Sequence, residues 1–210
     1  SLLTDDAAYL AQLGLVRGHL WVGIQLYKHG HQSMADTHMK HPSDELYSAI
    51  MPAMKARGHD GFALQLTALS DSVSARASIA EVELRHNELV KAIAEVEQAD
   101  QLSLETILLS IEKMVRTSAD EYAIGVTNGH ISNMHEYQDA LGFVEIARQR
   151  LAGLNDKQRL AGPEAIAEVQ QQLDKIESLW PSLDPNGKID GNASLLYGVA
   201  ARIQLAVLEI

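Results

Sequence analysis

The chain has 210 residues, 46% hydrophobic and 21% charged, the balance of a globular protein with a sizeable core. Its 28 acidic against 17 basic residues give a formal charge of −11, so the basic surface that a nucleic-acid backbone requires is missing. Cysteine is absent, which excludes disulfides, thiolate metal sites and cysteine nucleophiles without fixing the compartment.

The apolar residues recur at helical spacing almost throughout. Thr4 before Asp5 and Asp6 marks a first helix start, a hydroxyl cap followed by acids at the positive end of the dipole. Tyr9, Leu13, Val16, Leu20, Ile24 and Tyr27 then follow at intervals of three and four, and the same count continues onto His31, Met34 and His38. Pro42 ends that helix or starts the next, and "SDELYSAIMPAMKARG" makes a second, bent or cut near Pro52 and closed by Gly58. Residues 60–74 and 78–98 predict a third and a fourth, parted at "SVSAR". A long fifth starts at Ser103 and can run to Leu151. Pro163 opens a sixth, ended by "WPSLDPNGKIDGN", and Ala193 to Glu209 forms the last. No period-two alternation lasts long enough for a strand. The expectation is an all-α bundle of six to seven helices, two of them long, in a single domain spanning 1–210. No apolar run reaches about 18 residues, so no membrane span is expected. The chain begins at Ser1 rather than Met, which fits removal of an N-terminal segment.

Four of the nine histidines lie in "YKHGHQSMADTHMKH", Tyr27 to His41. On one continuous helix His31 and His38, seven apart, share a side to within about 20° and point inward with Leu13, Leu20 and Tyr27, while His29 points away. Two turns separate them by about 10 Å, too far to ligate one ion directly. His38 and His41 are three apart and can share an ion if the chain reverses at Pro42 and brings Asp44 or Glu45 alongside. The alternative is structural: His31 and His38 buried, neutral and hydrogen-bonded, His29 and His41 solvated.

A second unusual stretch is "DEYAIGVTNGHISNMHEYQDALGF", Asp120 to Phe143. The apolar stripe Ile111, Val115, Tyr122, Val126, Gly129 meets Asn133 and Glu136 before resuming at Ala140. A core-facing carboxylate is costly unless it is paired, protonated or bound to a metal. Gly125 and Gly129 each weaken a helix by about 1 kcal/mol against alanine, which suggests a close approach, a kink or a break. With a break at "TNGHIS", Asn133 or Ser132 becomes a cap and Glu136 an N-terminal acid.

Asp120, Tyr122, Val126, Gly129, Ile131, Asn133, Glu136, Tyr137 and Phe143 also carry a family likeness. The stretch resembles the pattern Asp-x-Tyr-x-x-Ala-Val-x-x-Gly-x-Val-x-Asn-x-x-Glu-Tyr of the extracytoplasmic helical part of bacterial high-affinity iron permeases. Gly125 stands where that family favours Ala, and the Arg-Glu-x-x-Glu motif of the membrane helices is absent, so transport itself is not implied. What the resemblance implies is a periplasmic or otherwise exported helical domain associated with iron handling and a membrane iron-transport partner. The chain more loosely resembles imelysin-type helical bundles, which use Gly-x-His-x-x-Glu. "GHLWVG" has Gly18 and His19 but Val22 where the acid belongs, so that motif is not met.

"YKHGHQSM" and "VTNGHISNM" echo one another, and a true repeat would relate the first and fifth helices by a pseudo-twofold axis, bringing His31 and His38 near Asn133 and Glu136. "DPNGKIDGN" lacks the acid spacing of a calcium loop. No Gly-x-Ser-x-Gly elbow or phosphate-cradling loop is present, and His135-Glu136 is not a His-Glu-x-x-His zinc motif because residue 139 is Asp. The sequence therefore predicts a non-catalytic bundle binding a divalent metal, iron foremost, through His31, His38, His41, Glu45, Asn133, Glu136 and Asp139. The competing reading is a structural or protein-interaction bundle without metal.

Overall fold

A computed structural model describes residues 1–41 and 46–210 of the chain. Among the described residues there are ten α-helices and one minimal β-hairpin, so the all-α expectation holds with more and shorter helices than the sequence predicts. The chain divides into two compact units, Ser1–Ala99 and Asp100–Ile210.

The first unit holds α1 (Asp6–Lys28), α2 (Gln32–His41), α3 (Tyr47–Ala56), α4 (Ala63–Ser74) and α5 (Ile79–Glu97). Asp5, not Thr4, caps α1, its carboxylate accepting from the Ala8 amide. The expected run through His38 breaks at Gly30, whose φ of +81° only glycine adopts freely. There the Gly30 amide donates to Tyr27 O and the His31 amide to Leu26 O, a Schellman ending that satisfies the last carbonyls and turns the chain. α2 consequently packs against α1 instead of prolonging it. Gly23 leaves room for this, since a Cβ there would lie 2.6 Å from Met39 Cε. The Arg17–Glu97 pair (3.1 Å) and the Tyr9 hydroxyl donating to Val96 O (3.3 Å) tie α1 to the end of α5.

The second unit holds α6 (Leu104–Gly125), α7 (Met134–Ala152), α8 (Asp156–Ala161), α9 (Pro163–Lys175) and α10 (Ala193–Val207). Ser103 caps α6, accepting from the Thr106 amide, and Pro163 occupies the first turn of α9, as the sequence predicts. The single long helix expected over 103–151 is two helices. Strands β1 (Val126–Thr127) and β2 (His130–Ile131) pair antiparallel between them, although the sequence disfavours any strand. Asn128 (φ +51°) and Gly129 (φ +74°) form the tight left-handed turn for which Asn-Gly is suited. α6 and α7 thus run back along one another, with α10 against α6 and α9 against α10 and α7.

Gly125 sets how closely the hairpin shuts. A Cβ there would lie 2.6 Å from the backbone nitrogen of Tyr137. Behind it Tyr122, Tyr137 and Trp180 form an aromatic core, Tyr122 and Trp180 edge to face at 5.3 Å. Their polar ends are satisfied by backbone carbonyls: Tyr122 donates to Leu179 O, Tyr137 to Ser182 O and Trp180 Nε1 to Tyr137 O.

The two Gly-His echoes fall on comparable devices. Each is a reversal between two antiparallel helices, built on a left-handed glycine immediately before the histidine.

Candidate metal centre

The α6–α7 hairpin gathers ionisable groups near its closed end. Asn133 caps α7, its side-chain oxygen accepting from the Glu136 amide at 3.4 Å. The first turns of α7 therefore start in fixed register and present His135, Glu136 and Asp139 in sequence. His135 and Asp139 are one turn apart, with Nε2 3.2 Å from Oδ2. Asp139 is only 2% exposed. From α6, Glu121 hydrogen-bonds Glu136 across the hairpin.

Three carboxyls and one imidazole so close together cannot all keep their ordinary charge. Burial, then the hydrogen bond with Glu136, then the charges of Glu136, Asp139 and Asp120 push the Glu121 carboxyl up to about 8. At neutral pH it is mostly protonated and donates to the Glu136 carboxylate. The hydrogen bond to Asp139 raises the His135 imidazole above its usual value, burial opposes this, and the Asp139, Glu136 and Glu121 charges add to the rise. A divalent cation placed among these groups would offset their negative charge. The donors suit one: imidazole nitrogen and carboxylate oxygen together take Fe(II), Zn(II) or Mn(II).

In the first unit the α1–α2 reversal brings two imidazoles together. His19 on α1 is 4% exposed and His38 on α2 is 1% exposed. One ring nitrogen of each lies within 4.8 Å of the other, close enough for both to reach one small ion after a slight shift.

The structure sorts the residues that the sequence points to. His38 is deeply buried but meets His19, a pairing absent from the sequence expectation. His31 sits in the turn before α2 and is partly exposed. His29 is exposed, its Nδ1 2.7 Å from Gln25 O. Glu45 and the side chain of His41 lie outside the described residues. Asn133 serves as a helix cap, the outcome of the broken-helix alternative. Glu136 is half-buried and is hydrogen-bonded to a carboxyl, Glu121. Asp139 joins His135.

Three residues were missed. α1 is buried on nearly every side, so its periodicity gives no sign that His19 faces another helix. The four-residue step from His135 to Asp139 is visible in the sequence and is the signal that finds that pair. Glu121 becomes a neighbour of Glu136 only once the hairpin exists.

A family model described as the iron permease-associated 4-helix bundle domain matches residues 97–206. The chain belongs to this family. The matched span takes in α6 to α9 and nearly all of α10, including the whole Asp120–Phe143 stretch that carries the permease likeness. The iron permease-associated bundle thus contains the Glu121, His135, Glu136 and Asp139 cluster, while α1 to α4 and nearly all of α5 precede it. No curated protein and no solved structure matches the chain. Among the described residues no helix is long and apolar enough to cross a membrane.

Proposed function

We propose that this protein is an extracytoplasmic, non-catalytic helical bundle that binds a divalent metal and serves a membrane iron permease, with iron as the metal. The observation that carries the reading is the cluster of Glu121, His135, Glu136 and Asp139 inside the family-matched unit. Burial, the hydrogen bond with Glu136 and the neighbouring carboxyl charges together hold a proton on Glu121 at neutral pH, and a dication in its place would offset the buried negative charge. The proposed ligands there are His135 and Asp139, with Glu136 and Glu121 as further oxygen donors. In the first unit the proposed ligands are His19 and His38. The family supports iron; the donor set agrees with it without excluding zinc or manganese.

A purely structural bundle has one observation in its favour. The His135–Asp139 and Glu121–Glu136 hydrogen bonds satisfy these groups without an ion. Elemental analysis of protein prepared without chelators or a nickel column, followed by anaerobic dialysis against Fe(II), separates the readings. The metal reading expects a defined stoichiometry of retained iron. Protein that keeps no metal above the dialysis background supports the structural bundle.

A further inference from the structure

The side of α10 that faces solvent carries large apolar residues alongside the polar Ser194, Arg202 and Gln204. Leu196, Val199, Ala200 and Ile203 are buried, yet Leu195, Leu205 and Leu208 are 42%, 55% and 76% exposed. No acid occurs from Ala193 to Leu208, in a chain that holds 28 of them. Large apolar side chains grouped on an exposed surface ordinarily mark a contact. The apolar surface continues beside its C-terminal end. Ile210 is 48% exposed, and a Cβ on Gly162 would lie 3.3 Å from Ile210 Cγ1. A hollow of about 260 Å³ opens there, between Ala161–Ala165 and Glu209–Ile210.

The charges beside this stripe indicate what covers it. Arg202 and Glu209 are both exposed and seven residues apart, so they lie on the same flank of Leu205 and Leu208 to within about 20°. A cation and an anion on one flank are complementary to the same flank of a second copy running in the opposite direction. A twofold axis across the stripe then sets Arg202 of each copy against Glu209 of the other, the reciprocity that an isologous contact requires. Elsewhere two copies of charge −11 repel, whereas along this stripe the acids are few, none occurring from Ala193 to Leu208.

We infer that the C-terminal half of α10 is a self-association surface on which a second copy of this chain packs antiparallel. Leu205 and Leu208 are buried in the contact, and Arg202 and Glu209 pair across it in both directions. One short helix face and its neighbours cover less than the roughly 800 Å² per partner of a standard stable interface, so the dimer is weak and concentration-dependent.

Sedimentation velocity on the full chain, from about 10 to about 500 μM, reads such an equilibrium directly. The wild type should shift from monomer towards dimer across that range. Arg202→Glu and Glu209→Arg, each alone, place like charges together and should weaken dimerisation by about tenfold or more. The double variant Arg202→Glu/Glu209→Arg restores the pairing and should return close to wild type, while Leu205→Glu should remain monomeric. Unchanged circular dichroism in each variant establishes that folding is intact. A wild type that stays monomeric throughout overturns the inference. So does a double variant as dissociated as the singles, or a dimer indifferent to Leu205→Glu.

Discussion

Glu121 keeps a proton that a free carboxyl gives up, and this has a measurable consequence. Its native value is pushed from an ordinary 4.5 to about 8, so between those values the folded chain binds more protons than the unfolded one. Stability that the protonated form provides is complete at low pH and is lost as pH rises towards about 8. His135, also raised, acts in the same direction: its contribution is full below about 6.5 and fades as pH climbs through its native value. The metal-free protein should therefore melt progressively lower from about pH 6.5 to about pH 8. Glu121→Gln, which keeps a donor but cannot titrate, should flatten that fall. A slope equal to the wild type's would show that Glu121 is not the group responsible. His86 has the opposite sign. Burial holds it down to about 4, so the stability it lends is full above about 6.5 and is lost as pH falls towards 4. Thermal melts of His86→Leu should consequently show a weaker decline from pH 6.5 to pH 4 than the wild type.

At the scale of elements, the α6–α7 hairpin depends on a glycine and a cap. Gly125→Ala puts a methyl group against the Tyr137 backbone, which cannot move aside as a flexible side chain can. It should cost about 2 kcal/mol, measured by urea denaturation, as an overpacked contact does. An effect near the zero typical of exposed positions would mean that the hairpin shuts less tightly than described. Asn133→Ala removes the N-cap of α7 and should cost about 1 kcal/mol. Gly125 and Asn133 also show what could be read from sequence. The paired glycines signalled a close approach or a break, and Asn-Gly named the turn, but the apolar stripe ran unbroken in register from Tyr122 to Val126 and Gly129. Periodicity sees one side of one helix. It cannot tell whether the next turn continues or folds back with the same phase. The same failure joined His31 and His38 to α1, because Gly30 falls where the stripe still counts correctly. Caps such as Ser103 and Pro163 were legible since their chemistry is local. Contacts such as His19 with His38 and Glu121 with Glu136 were not, because each needs a reversal first.

For the whole molecule, the metal account joins two independent facts: membership of the iron permease-associated family and a mixed imidazole–carboxylate cluster within the matched unit. A net charge of −11 also favours the approach of cations in general, so weak unspecific uptake has to be separated from a built site. The first unit's imidazole pair gives a further check, as replacing His19 and His38 by alanine should also lower affinity if those nitrogens are ligands. The most direct measurement is anaerobic titration calorimetry with Fe(II) at pH 7.5 on the wild type and on His135→Ala/Asp139→Asn. The account predicts saturable binding by the wild type, weakened at least about tenfold in the variant, since a lost ligand or its support commonly costs that much. Equal affinity in the two proteins, or no saturable binding by the wild type, would contradict it.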